Sequence, residues 1–150
     1  MSEPDPTRVV ADADVLAADL LVGGPARAAL DHVRRHDWVT LVASAHLLDE
    51  AQAIVVGLTD AALAADWRER VTADADLVEH PAGDHPALAA AYRGGAAHVL
   101  SFDPALTSAR TGAALKRAGV SVKRPDAFDR LFDPESLYPA LFDEPYPGPD

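Results

Sequence analysis

The sequence predicts an α/β fold, a three-layer α/β/α sandwich with helices on both sides of a central, mostly parallel sheet. Two observations lead there. Short apolar runs of strand length alternate with longer stretches of helical periodicity, the pattern of repeated βαβ units. Two of those runs also close on an aspartate, and the carboxyl ends of parallel strands share the rim where α/β folds bind ligands. At 150 residues the chain is read as one domain with a sizeable core, about residues 8–131, followed by short helices and a Pro-rich tail over 132–150.

The elements follow in order. Residues 1–7 are polar, with two prolines, and read as a loose leader. Arg8-Val9-Val10-Ala11-Asp12 is a buried first strand, and 13–22 is a short helix stopped by Gly23-Gly24. Pro25 suits a first helical position, and 26–36 carries apolar residues at helical spacing. Residues 38–43 form the second strand; Ser44 caps a helix over 45–57, and Thr59 caps the next, to about residue 73. Leu77-Val78-Glu79-His80 is a short edge strand. Asp84 is a candidate N-cap for a helix that has Pro86 in its first turn and ends near Gly94-Gly95. His98 to Phe102 has the near-continuous apolar character of a parallel-sheet interior. A helix over 105–118 ends at Gly119, and 120–123 is a last strand at an edge. Two helical turns over 126–132 and 134–142 precede the tail. Trp38 and Trp67 read as packing residues.

Acidic residues recur where this layout brings strand ends and helix starts together. Asp12 closes the first strand, Asp14 follows it, and Asp103 closes His98-Val99-Leu100-Ser101-Phe102-Asp103. Asp84 precedes the helix that leads back to that strand. On the helix after Ser44, both Asp49 and Glu50 are candidates; Glu50 is preferred because it shares the side of Leu47 and Ile54. Like charges crowded at one rim repel, by about 4 kcal/mol per pair at about 4 Å for an effective dielectric of about 20. A divalent cation relieves that repulsion, and oxygen-only ligands favour Mg²⁺ or Mn²⁺. Ser101 and Thr107 offer hydroxyls, and Arg110 a guanidinium, within reach of a phosphate there.

The order of these pieces resembles the PIN-domain nucleases. The resemblance is carried by Val9-Val10-Ala11-Asp12-Ala13-Asp14-Val15-Leu16, by Ser44-Ala45-His46-Leu47-Leu48-Asp49-Glu50 and by Gly83-Asp84-His85-Pro86-Ala87-Leu88. It continues through Val99-Leu100-Ser101-Phe102-Asp103 and Val120-Ser121-Val122-Lys123-Arg124-Pro125-Asp126-Ala127-Phe128. It implies a parallel sheet flanked by helices and RNA cleavage with Mg²⁺ or Mn²⁺, held by Asp12, Asp14, Glu50, Asp84 and Asp103. It also implies an RNA substrate and, for a toxin-type member, an antitoxin partner. A homodimer is a further expectation, since the tail offers Leu137, Tyr138, Leu141, Phe142 and Tyr146 for packing on the domain or on a second subunit.

Composition adds bounds. The net charge is −11, with 24 acidic residues against 13 Lys and Arg, of which only two are lysine. Such an Asp-rich, Lys-poor balance resembles proteins of salt-loving archaea, whose hydrated acidic surfaces stay soluble in concentrated salt. It also runs against the basic patch usual in nucleic-acid binders. The absence of cysteine excludes disulfides and thiolate chemistry, and a cytoplasmic location is expected. The apolar runs are too short to span a bilayer, and no signal peptide is visible. Two other function classes remain open. Asp12-Ala13-Asp14-Val15 also resembles the first motif of the HAD phosphohydrolases, although no lysine precedes Lys116 to serve as their helper. A PIN-like scaffold that binds RNA or protein without cleaving is the third. Zinc held by His46 with Glu50, or by Glu79-His80 with Asp84-His85, is a lesser possibility, and no HExxH pair exists.

Overall fold

A computed structural model describes residues 3–79 and 85–150. It contains a five-stranded sheet in the order β3-β2-β1-β4-β5, and every neighbouring pair is parallel. The strands are β1 (Asp5–Ala11), β2 (Thr40–Ser44), β3 (Asp76–Val78), β4 (Ala96–Leu100) and β5 (Ser121–Lys123). Helices α1 (Ala13–Leu21) and α2 (Gly24–Arg34) join β1 to β2; α3 (Ala45–Leu58) and α4 (Ala61–Asp74) join β2 to β3. α5 (Pro86–Gly94) precedes β4, and α6 (Pro104–Thr107) and α7 (Ala109–Lys116) precede β5. α8 (Pro125–Leu131) and α9 (Pro134–Phe142) close the chain. The result is a three-layer α/β/α arrangement, as the alternation of apolar runs and helical segments predicts.

The first crossovers carry the chain from β1 outward to β2 and β3. The chain then returns past β1 to β4 and β5 on the other side. Right-handed crossovers place the helices of these two excursions on opposite sheet faces. The reversal falls between β1 and β4, which is a topological switch point. Val9, Val10, Val42, Val99 and Leu100 are fully buried, so the inner strands are covered on both faces.

Several boundaries differ from the sequence reading. β1 begins at Asp5 within the expected leader, because the Asp5 N–H donates to the Gly95 carbonyl at 2.7 Å. Its pairing with β4 shifts between Asp5 and Val9, where Pro6 lacks the N–H a regular ladder needs. Trp38 lies before β2 rather than in it. Thr59 ends α3, its hydroxyl donating to the Val55 carbonyl at 2.7 Å, while Asp60 caps α4 by accepting from the Leu63 N–H at 2.8 Å. The expected helix over 105–118 is two helices. Ser108, in extended conformation, caps α7 and accepts from the Thr111 N–H at 3.3 Å, a side-chain bond that competes with helix continuation. His85 caps α5, with its ring Nδ1 accepting from the Ala87 N–H at 3.2 Å. Asp84, Gly83 and His80 lie outside the described residues.

α5 sits close on the sheet because its buried face is built from Ala87, Ala89, Ala90 and Ala91. The approach is tightest at its end, where a Cβ on Gly94 would fall 2.4 Å from Cγ1 of buried Val42. Propensity alone says that Gly94→Ala stabilises a helix by about 1 kcal/mol. The clash reverses that sign, and thermal denaturation of Gly94→Ala is expected to read a loss of about 1–3 kcal/mol.

The C-terminal segment folds back on an aromatic cluster. Trp38 meets Tyr138 edge-on at 5.2 Å and Phe142 at 5.9 Å, and Phe132 stacks on Phe128 at 5.2 Å. The tail has no regular structure after Phe142 yet is anchored, because the Asp150 N–H donates to the Arg35 carbonyl at 2.7 Å. His36, 3% exposed, uses Nδ1 to donate to the His32 carbonyl at 2.7 Å, which leaves Nε2 to accept from the Tyr146 hydroxyl at 2.6 Å. Tyr146→Phe leaves that nitrogen unpaired, and chemical denaturation is expected to register a cost of about 1–3 kcal/mol. Trp67 is buried on α4, in keeping with its reading as a packing residue.

Candidate active site at the β1–β4 switch point

Strand register builds the rim. Val10 of β1 pairs with Val42 of β2 and with Val99 of β4. Two residues further on, the same register sets Ser44, Asp12 and Ser101 side by side at the carboxyl ends. The Asp12 N–H, donating to the Leu100 carbonyl at 2.8 Å, extends the ladder to this point. Ser44 and Ser101 are fully buried, and Asp12 is 7% exposed. The two serines have different tasks: Ser44 serves the start of a helix, and Ser101 bonds the neighbouring aspartates. Ser44 caps α3 by accepting from the Leu47 N–H at 3.1 Å.

Asp12 is fixed from two directions. Oδ1 accepts from the Ala13 N–H at 2.8 Å, capping α1, and Oδ2 accepts from the Ser101 hydroxyl at 2.8 Å. Ser101 Oγ in turn accepts from the Asp103 N–H at 3.0 Å. One buried hydroxyl therefore ties the first aspartate to the last. Asp103 caps α6, with Oδ1 accepting from the Ala105 N–H at 2.9 Å.

Asp14, in the first turn of α1, completes the group. Its Oδ2 accepts from the Phe102 N–H at 3.3 Å, and its Oδ1 is buried without a hydrogen-bond partner. Burial, then the Asp12 charge and, more weakly, that of Asp103, push its carboxyl above the usual range, opposed by the nearby backbone N–H groups of Val15 and Phe102. The three aspartates thus share one electrostatic site, and one of them carries an oxygen that lacks a partner. That orphaned oxygen is what a hard cation requires, so the donor set fits Mg²⁺ or Mn²⁺. Among the described residues no ready-made group of three or more His, Asp or Glu is arranged to hold a metal. Asp12, Asp14 and Asp103 need a fourth donor and a modest approach to one another.

The other expected residues are placed differently. Glu50 does not face the core: its side chain is 47% exposed and pairs with His46 one turn earlier at 3.3 Å, and its expected neighbour Ile54 is itself 36% exposed. The buried side of α3 is Leu47, Leu48, Ala51 and Val55. Asp49 is further out and pairs with Arg68 at 2.7 Å. Thr107 donates to the Asp103 carbonyl at 3.2 Å, a bond within α6. Arg110 is exposed in the first turn of α7 and makes no hydrogen bond or ion pair with the three aspartates.

Two side chains join the rim without having been singled out for it. His85 Nε2 lies 3.9 Å from Asp12 Oδ2. With Nδ1 accepting the helix cap, the neutral ring carries its proton on Nε2, toward Asp12. Arg124, which begins α8, stacks over Phe102 at 5.3 Å and pairs with Asp126 at 3.4 Å. The available signal was topological: Arg124 directly follows β5, at the carboxyl end of the strand next to β4.

No helix among the described residues is long and apolar enough to cross a membrane. No curated protein matches the chain in sequence. A family model covers residues 3–150, and the chain belongs to that family, DUF7384, a family of unknown function.

Proposed function

We propose that the protein is a metal-dependent endoribonuclease of the PIN type, hydrolysing RNA phosphodiesters at the β1–β4 rim. The observation that carries this reading is the convergence of Asp12, Asp14 and Asp103 there, with Asp14 Oδ1 buried and unpartnered. Asp12, Asp14 and Asp103 would hold the cation, with Asp84 as the further donor that the family resemblance implies. When bound, a Mg²⁺ or Mn²⁺ ion supplies Lewis-acid activation of water and neutralises charge on the phosphodiester. The Ser101 hydroxyl, donating to Asp12 and accepting from the Asp103 N–H, keeps these two residues at one rim, and cation binding would draw the carboxylates together. No residue of the chain need act as a covalent nucleophile. Arg124 and His85 stand at the rim as positive and proton-bearing groups that can meet a phosphate in a chain otherwise strongly acidic.

The test is cleavage of single-stranded and structured RNA with Mn²⁺ or Mg²⁺ and with chelator, in dilute buffer and in concentrated KCl. The expected result is metal-dependent cleavage without a phospho-enzyme. Hydrolysis of small phosphomonoesters, with a beryllofluoride adduct on Asp12, would establish the HAD reading instead. RNA binding without cleavage would establish the scaffold. Ser101→Ala breaks the link between Asp12 and Asp103. It is expected to lower cleavage by about 10–100-fold, the usual cost of disturbing a group that orients metal ligands.

A further inference from the structure

A second polar group lies elsewhere, on β4 and β5. His98 pairs in register with Ser121, and Lys123 stands two residues beyond Ser121, so the three side chains share one face of the sheet. α8 borders them, with the Phe128 ring edge-on to His98 at 5.6 Å. A groove of about 490 Å³ opens there, lined by His98 and Lys123 and by apolar Phe128, Leu131, Leu137 and Ala140.

The polar groups of this groove are not mutually satisfied. His98 Nδ1 is buried without a hydrogen-bond partner. Lys123 donates to the Ser121 hydroxyl but makes no ion pair among the described residues, in a chain of net charge −11. Burial lowers the pKa of both, with Lys116 adding to the effect on Lys123; His98, further depressed by Lys123, falls to about 4 and is neutral at pH 7. Asp133 also lines the groove, but its Oδ1 accepts from the Ser136 N–H at 3.3 Å as the cap of α9, and it forms no ion pair with Lys123. A half-buried cation, a free imidazole nitrogen and apolar walls call for one kind of ligand, an anion attached to an apolar body. The volume lies within the range of about 300–1,000 Å³ usual for small-molecule sites.

We propose that this groove binds an organic monocarboxylate. Its carboxylate would meet Lys123 Nζ beside the His98 ring, and its alkyl or aryl body would lie along Leu131, Leu137 and Ala140. The site is separate from the rim aspartates, and the inference does not depend on the nuclease reading. Octanoate is the probe, titrated calorimetrically into the full chain at one fixed KCl concentration, with octanol as the uncharged control. Expected are saturable binding of octanoate and affinity at least about tenfold lower for octanol and for Lys123→Met, the scale of a lost charge-assisted hydrogen bond. Arg70→Met, on α4 and outside the groove lining, should bind as the parent does. Ala140→Trp fills the groove from an exposed helix position and should abolish binding while leaving the melting temperature within a few degrees. Absence of saturable octanoate binding, or equal affinity of the parent and a folded Lys123→Met or Ala140→Trp variant, would overturn the proposal.

Discussion

Asp12→Asn is expected to reduce metal-dependent RNA cleavage by at least about 100-fold, the upper end of what disturbing even a supporting group of a metal site costs. The variant removes a charge and almost no volume. Its remaining carbonyl can still accept one of the two bonds that Asp12 now receives, from the Ala13 N–H and the Ser101 hydroxyl. The fold should therefore persist, and circular dichroism with thermal melting checks that it does. Asp103→Asn is expected to behave alike, because its N–H still meets Ser101 Oγ. If either folded variant cuts RNA as fast as the parent at matched metal and salt, the activity belongs to another site. Glu50→Gln is a useful contrast. Its side chain is exposed and paired with His46 on the surface of α3, so the geometry predicts a small effect on cleavage.

Asp14→Asn is expected to change stability in opposite directions with and without metal. Asp14 is held above the ordinary carboxyl range by burial and by the Asp12 and Asp103 charges. A carboxyl whose folded pKa is raised binds its proton more tightly in the folded state. It therefore weakens folding at neutral pH, and that penalty fades as pH falls through the raised folded value toward the unfolded one. Asparagine removes the charge while its carbonyl can still accept the Phe102 N–H. The metal-free variant should melt higher than the parent at pH 7. The difference should vanish below about pH 4, where an unperturbed carboxyl is also protonated. Metal reverses the ranking. A cation at one hundred times its Kd stabilises the folded parent by about 2.7 kcal/mol, or roughly 5–10 °C for a chain of this size. Asp14→Asn should lose most of that rise. Melting curves with Mn²⁺ and with chelator, at constant ionic strength, read both effects. A parent melting temperature that ignores saturating Mn²⁺ would remove the metal from the account.

The sheet was legible because its strands carry an unambiguous signal. Val9-Val10-Ala11 and Val99-Leu100 are too apolar for a surface and too short for a helix, and all are buried. The rim positions of Asp12 and Asp103 followed from the same logic, since a carboxylate directly beyond a buried strand must leave the core at its carboxyl end. The face of Glu50 was not legible. In α3, Leu47, Leu48, Ile54, Val55 and Val56 surround the helix, so periodicity could not tell the buried side from the exposed one, and Ile54 and Val56 are exposed. The break between α6 and α7 was hidden for another reason. Ser108 and Thr111 could sit in a continuous helix, and only their side-chain bonds, with Thr111 Oγ1 donating to the Ala105 carbonyl at 2.8 Å, divide it. Ser101 was legible as a candidate but not in its role. Its hydroxyl touches Asp12 across 89 positions of sequence, a contact that exists only once β1 and β4 are paired.

Anomalous diffraction from crystals of the full chain grown with saturating Mn²⁺ reads directly whether the rim aspartates hold a metal. The expected result is an anomalous peak among the carboxylates of Asp12, Asp14 and Asp103, with Asp14 Oδ1 among its ligands, and loss of that peak in Asp14→Asn. A map without a peak at that rim, or with Mn²⁺ bound only at a surface pair such as His46 and Glu50, would contradict it.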